Sequence, residues 1–280
     1  MQTHSVIEGQ PGHSTRYSLG SEDHEIARLD AQAALLERAT GIILRESGIG
    51  RGMRVLDLGT GLGHVAFAAA RLVGLEGKVV GIDNSPRLLG VAMRRASAYP
   101  QVRLVEADVR TWRDEEPFDA VIGRLILFHL PDRLAVLRHH LEALRRGGLL
   151  VALDFDLGSI RAEPPLALVE EAVEWTRATF LSAGALPTIG ARLVPLLAEA
   201  GLAGVESIGI QEYFGPGDPR SARVLCGVMR SLAPQAAAAG IATPEHLRPE
   251  TLEERLARAM KASGSALLFP VLAGAWGRRG

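Results

Sequence analysis

The chain has 280 residues, long enough for one sizeable domain or a core with a lid, and 31 Lys+Arg against 32 Asp+Glu give a formal net charge of −1. That balance supplies no basic surface for nucleic acid, and no apolar run is long enough to span a bilayer. The one cysteine, Cys226, cannot form an internal disulfide and no Cys/His cluster suggests zinc, so no metal is expected and a reduced cytoplasmic setting fits.

In chain order, residues 1–14 are polar, carry Gly9, Pro11 and Gly12, and read as a flexible tail; the start lacks the charged and apolar regions of a signal peptide. Residues 15–50 read as a helical cap. A helix is expected from about Ser21 to Thr40, with Ser21 as N-cap, Glu22 and Asp23 in the first turn, and Ile26, Leu29, Ala33, Leu36 and Ala39 at helical spacing. A second helix is expected to run to Ser47 and to end at Gly48 and Gly50. No internal repeat is present.

The stretch Val55-Leu56-Asp57-Leu58-Gly59-Thr60-Gly61-Leu62-Gly63 follows. It reads as a buried strand, a glycine turn and the opening of a helix, an arrangement that lets a ligand approach the backbone and meet free helix amides. Lys78 to Asp83 is a second strand ending in an acid roughly 20 residues past the turn, the spacing at which a carboxylate reaches ribose hydroxyls. Asn84 adds a polar group beside it. Val102 to Asp108 is a third strand, again ending in an acid. Strands near 53–58, 78–82, 102–106, 118–123 and 148–154 alternate with helices near 62–73, 86–97 and 132–145, which predicts a parallel sheet with helices on both faces. Ligands bind such sheets at the carboxyl ends of the strands, where Asp57, Asp83, Asp108, Arg124 and Asp154 fall.

The glycine motif, Asp83, Asp108, the strand Phe118-Asp119-Ala120-Val121-Ile122-Gly123 and Gly147-Gly148-Leu149-Leu150-Val151-Ala152 together resemble a class I S-adenosylmethionine-dependent methyltransferase of the bacterial small-molecule type. Thr60 stands where that family often has Cys, a mild departure. The resemblance implies an α/β, Rossmann-like fold with a seven-stranded, mostly parallel sheet whose last strand is antiparallel, a helical N-terminal cap and helical lid insertions. It implies S-adenosylmethionine as cofactor, with Gly59, Thr60 and Gly61 facing it through backbone. Asp108 and the amide of Val109 would meet the adenine. The carbonyl of Arg124 would lie near the donor's amino group, and Asp57 would hold the turn or reach that group through water. The leader Tyr17, Leu19, Gly20, Glu25, Arg28, Leu29, Gln32 resembles that of secondary-metabolite methyltransferases. Tyr17 would then cover the methyl donor, as a cofactor-binding and catalytic residue, and Arg28 would reach the donor's carboxylate or fix the cap; pairing of Arg28 with a nearby acid is the structural alternative.

Residues 51–157 are thus the cofactor-binding core, continued at 187–213, with lid insertions at 158–186 and 214–262 and a final core strand and tail at 263–280. Within these, helices are expected at Arg161–Ala183, Ile189–Ala200, 220–232 and 249–262, the last two separated by Pro234 and Pro244. Strands are expected at Val205–Tyr213 and Ala266–Leu272, the latter closing the sheet.

His129, just past the fourth strand, is the candidate general base, with Asp154 and Asp156 as rivals. His139 and His140 adjoin on a helix, so they are expected to point apart and make no metal pair. Phe128, Phe155, Trp175, Phe180 and Tyr213, together with Tyr17, are candidate walls for a small apolar or aromatic acceptor. Methyl transfer from a sulfonium needs in-line positioning more than a base, since positioning contributes roughly 7–11 kcal/mol and a base about 3–5. The rivals to a methyltransferase are a member of the fold that binds the donor without transfer, and a nicotinamide-dependent oxidoreductase. Against the oxidoreductase, His64 occupies the place of the last fingerprint glycine. Homo-oligomerisation is left open.

Overall fold

The computed structural model describes residues 22–280, with side chains from Glu25 onward. The first part of the chain forms α1 (Glu22–Glu46), β1 (Arg54–Leu58), α2 (His64–Val73), β2 (Lys78–Asp83), α3 (Pro86–Arg95), β3 (Val102–Glu106), β4 (Phe118–Arg124), α4 (Arg133–Ala143) and β5 (Leu144–Asp156). The remainder forms β6 (Arg161–Glu163), α5 (Ala167–Ser182), α6 (Leu193–Ala200), β7 (Leu202–Ile210), β8 (Tyr213–Phe214), α7 (Pro219–Ala238), α8 (Pro249–Ser263), β9 (Ala266–Leu268) and β10 (Val271–Arg279).

The central runs of β1, β2 and β4 are almost wholly buried and, Asp57 apart, apolar, as strands covered on both faces must be. Seven strands pair in the order β3-β2-β1-β4-β5-β10-β7. The first five are mutually parallel, and β10 runs antiparallel to both β5 and β7. The sequence-based expectation of a mostly parallel sheet whose last strand is reversed is met. Reversal of the order at β1 and β4 opens a crevice at their carboxyl ends, where α/β sheets take their ligands.

Two apolar cores result. One holds the sheet and its helices, including Leu36, Ile43, Leu56, Ile122, Val151 and Leu272. The other holds α5, α7 and α8 around Val169, Trp175, Phe214, Met229 and Leu256. A small antiparallel sheet, β6-β9-β8, belongs to this second body. Ile160, Phe180 and Phe269 pack against both cores.

Several element boundaries differ from the sequence reading, each for a physical reason. The cap is one continuous helix through Gly41. A mid-helix glycine costs about 1 kcal/mol, which burial of Ile43 and Leu44 outweighs. Ile43 sits so close to Gly274 of β10 that a Cβ there would fall 2.4 Å from its Cγ2. The helix expected from Arg161 begins only at Ala167, because Pro164 and Pro165 interrupt it and Arg161–Glu163 pairs with β9 instead. Pro234 lies inside α7 and does not end it. Ala266–Leu272 divides at Pro270: its first half joins the small sheet, and the strand that closes the large sheet is Val271–Arg279.

Candidate active site

The turn after β1 has Gly59, Gly61 and Gly63 at φ 64°, 51° and 85°, a conformation that side chains other than glycine's strain to adopt. The Gly61 amide donates to Asp83 Oδ2 at 2.8 Å, and the Ser85 amide donates to Oδ1 at 2.9 Å. Each carboxylate oxygen therefore keeps acceptor capacity toward the cavity that Asp83 lines. A Cβ on Gly61 would come no nearer than 4.0 Å to Asp83 and Leu88, so the space beyond that backbone is open. Burial pushes the Asp83 carboxyl above its ordinary value, opposed by the amides of Ser85, Gly61 and Asn84. A half-desolvated carboxylate of this kind gains from ligand hydroxyls that donate to it.

Beneath the turn, Asp57 is wholly buried, and among the described residues no group makes a well-formed hydrogen bond to either of its oxygens. Burial pushes it up to about 7, while the Thr60 hydroxyl and the Arg124 guanidinium draw it down. It does not line the cavity. Thr60 does, yet its side chain packs toward Gly81, where a Cβ would meet Oγ1 at 2.7 Å. Arg124 lines the cavity floor and donates from Nη1 to Thr40 Oγ1 at 3.0 Å, tying the end of β4 to α1. Burial draws its guanidinium down to about 10, against the pull of Asp57.

Asn84, Asp108 and Val109 line the same rim. Arg110 chelates the Asp108 carboxylate, with Nη2–Oδ2 at 2.7 Å, and holds it below the usual carboxylate range. His139 and His140 do not point apart as expected. His140 Nε2 meets the Val109 carbonyl at 2.6 Å, His139 Nε2 meets the Trp112 carbonyl at 2.9 Å, and the two rings lie 4.9 Å apart. Both grip the segment after β3 that carries Asp108. Burial draws His140 down to about 4, so its ring is neutral and donates. Among the described residues no cluster could hold a metal ion.

Over this rim lies α1. Arg28 lines the cavity and pairs through two bonds with Glu25, at 2.9 and 2.8 Å, the alternative that fixes the helix. Asp30 receives both guanidinium nitrogens of Arg95 at 2.8 Å and meets His64 Nε2 at 2.8 Å, which joins α1 to α2 and α3. Neither tether was evident in the sequence, where Asp30 and Arg95 lie 65 residues apart. Tyr17 lies outside the described residues.

From the turn the cavity, of about 360 Å³, runs between sheet and lid. Phe128, Phe155 and Phe180 line it, with Phe128 and Phe180 edge-to-face at 4.8 Å. Trp175 and Tyr213 do not: Trp175 is in the lid's own core at 6% exposure, and Tyr213 is 63% exposed on β8. Their places are taken by Val224, Leu225 and Val228 of α7 and by Phe269. A second apolar stripe on α7, beside the one that fills the lid core, was the available signal. His129 lines the cavity next to Phe128; burial and the charges of Arg28 and Arg133 draw it down to about 4. A base that weak is a poor match for general-base work near neutrality. Its rivals are unsuitable for other reasons. Asp154 is buried away from the cavity, receives the Phe128 amide at 3.2 Å and is pushed up to about 8 by burial, while Asp156 caps the turn Leu157–Ser159.

A family model described as a methyltransferase domain matches residues 49–201, which span the turn, the acid-tipped strands and the sheet through α6. The chain belongs to the methyltransferase-domain family. Its class I, S-adenosylmethionine-dependent fold agrees with solved structures of the family. A methyltransferase-like protein from Bacillus halodurans superposes with a TM-score of 0.55 at 19% identity, covering 86% of this chain and 98% of that one. The Haemonchus contortus phosphoethanolamine N-methyltransferase 2, in complex with phosphomonomethylethanolamine and S-adenosylhomocysteine, gives 0.53 at 18% identity over 86% of this chain and 52% of that one. At such identities the likeness is one of fold. A demethylmenaquinone methyltransferase of Staphylococcus aureus is 32% identical over 113 residues, 40% of this chain and 47% of that protein. The chain thus spans about half the length of the curated relatives it matches.

Proposed function

We propose that the protein is an S-adenosylmethionine-dependent methyltransferase acting on a small, largely apolar acceptor of the natural-product kind. The observation that carries this reading is one continuous cavity. It begins at a carboxylate-edged glycine turn and ends among the aromatic rings of Phe128, Phe155 and Phe180. Family membership and relatives named demethylmenaquinone methyltransferases support it.

The donor fits the residues present. Asp83 offers acceptor capacity for two ribose hydroxyls, and Asp108 with the Val109 amide offers an edge for adenine. The open space beyond Gly61 allows close approach of a ligand to the turn, and Arg124 lines the cavity at the end of β4. When bound, the sulfonium supplies an electrophilic methyl group. The protein's own part is to hold the acceptor in line behind that methyl and to keep water out. The lid helices α5 and α7 and the cap helix α1 do this by closing the cavity on three sides. By the resemblance of the leader, Tyr17 would complete the roof.

The test is ligand-dependent stability and labelled transfer. S-adenosylmethionine or S-adenosylhomocysteine should raise the melting temperature and NAD(H) should not; at about a hundred times Kd the stabilisation is about 2.7 kcal/mol. Tritium from labelled donor should then appear in a small molecule of a cell extract. Stabilisation by NAD(H) alone would overturn the reading, and donor binding without transfer would leave a binding protein.

A further inference from the structure

Resting on the methyltransferase reading, the lid narrows the substrate class by length. A surface helix ordinarily has one apolar face and one polar face, whereas α7 has three faces. Ala222, Cys226 and Met229 fill the lid core. Arg223 and Arg230 are exposed and pair with Glu253 of α8 at 3.9 and 2.8 Å. Val224, Val228 and Ser231 form the third face; they are half-buried and line the cavity. Their separations of four and three residues put them in one stripe. Leu225 and Leu232 flank that stripe and line the cavity as well. The wall that α7 presents therefore runs from residue 224 to residue 232, about 12 Å at the helical rise.

The neighbouring walls have the same character. Phe155 and Phe269 meet edge-to-face at 5.6 Å, and Phe180 of α5 meets Phe128 at 4.8 Å. The described residues that α5, α7 and β9 contribute to the cavity include no ionisable group; Glu25, Arg28 and the other ionisable lining residues belong to α1 and the core. The two lid hydroxyls are turned to their own helices. Thr176 Oγ1 donates to the Ala172 carbonyl at 2.7 Å, and Ser231 Oγ donates to the Val228 carbonyl at 2.9 Å. A single ring would cover only part of such a wall and leave the remainder wet. A chain or a row of fused rings laid along α7 removes that remainder from water, which is the favourable outcome for apolar surface.

We propose that the acceptor is elongated, with its reactive group toward the glycine turn and an apolar extension of about 12 Å lying along the Val224–Val228–Ser231 face of α7. An extended chain advances about 1.2 Å per bond, so roughly eight to ten carbons fill that length. Val228, at the middle of the stripe, is then a specificity-determining residue: its bulk sets how long an acceptor the site takes.

The test uses the full chain loaded with S-adenosylhomocysteine, whose own binding is measured first by calorimetry. The probes are the 4-n-alkylphenols from methyl to dodecyl, titrated in the same way. Affinity is expected to rise about threefold to fourfold per added methylene until the tail reaches roughly eight to ten carbons, and then to level. In Val228→Trp the rise should stop at a shorter tail while S-adenosylhomocysteine still binds. Should that variant fail to bind S-adenosylhomocysteine, Ser231→Phe on the same face takes its place with the same expectation. Affinity independent of tail length, a rise that continues unbroken to dodecyl, the same limiting tail in wild type and variant, or no binding of any probe would each overturn the proposal. Failure of S-adenosylhomocysteine to bind the wild type would instead remove the reading beneath it.

Discussion

Asp83 carries more of the site than any other side chain, since it both braces the glycine turn and faces the cavity. On the proposed ribose assignment, removing it would cost a ligand two charge-assisted hydrogen bonds, each about 1.5–3 kcal/mol. Asp83→Ala is therefore expected to weaken S-adenosylhomocysteine binding at least about tenfold, the equivalent of 1.4 kcal/mol, read by calorimetry. Burial raises its carboxyl, so binding should be strongest where it is ionised and should decline as pH falls through a value above the ordinary 3.8. An unchanged Kd in the variant would dismiss the ribose assignment. His140 acts one step removed. Its 2.6 Å bond to the Val109 carbonyl holds the segment after β3, and His140→Ala should raise the same Kd about threefold to tenfold. Asp83 was legible because a strand, a turn and a spacing converge on it. His140 was not, because sequence adjacency to His139 says nothing of a loop 31 residues away.

Among elements, the parallel core was readable from alternating apolar runs and glycine stops, whereas the lid was not. Its strands are two or three residues long and gain their identity only by pairing across more than 50 residues, as Tyr213–Phe214 does with Leu267–Leu268. The cap helix illustrates the same divide. Its apolar face was visible, but what ties it over the cavity rim is the junction of Asp30 with His64 and Arg95. The hydrogen bonds of Arg95 hold the Asp30 carboxyl low, and burial holds His64 low despite the carboxylate beside it. Both values are depressed on folding. The junction therefore stands in full above the unfolded values and is lost as pH falls, first through the imidazole range near 6.5 and then through the carboxylate range. These side chains are about one-third exposed, so the junction is expected to contribute only about 0.5–1 kcal/mol. Asp30→Ala should leave the sheet's melting intact while speeding hydrogen exchange in α1 and the release of S-adenosylhomocysteine. Unaltered exchange in α1 would show that Ile43 and its neighbours anchor the helix alone.

At the scale of the whole molecule, four deeply buried groups pull the pH dependence of stability in opposite directions. His129 and His140 are both drawn down to about 4 by burial. The unfolded chain therefore takes up their protons first, and stability falls as pH drops from about 6.5 toward 4. Asp57 and Asp154 are pushed up to about 7 and about 8 by the same burial. Here the folded chain keeps its protons longer, so the stability these acids lend is complete below the unfolded carboxylate range and is lost as pH rises toward 7 and 8. Between about 4.5 and 6.5 the two pairs nearly cancel, at about 1.4 kcal/mol per pH unit each. Above 6.5 these two histidines no longer change, and Asp57 and then Asp154 give the slope its sign. Melting temperature should thus be nearly level from pH 4.5 to 6.5 and lower by several degrees at pH 8.5, since about 2 kcal/mol from one group corresponds to some 4–8 °C in a chain of this size. Asp154→Asn keeps an oxygen to receive the Phe128 amide and removes the charge. It should melt close to the wild type at pH 6 and above it at pH 8.5, with most of the alkaline fall abolished. Calorimetric scans at the two pH values decide the matter, because an equal fall in both proteins would place the cause in surface charge and not beneath the cavity.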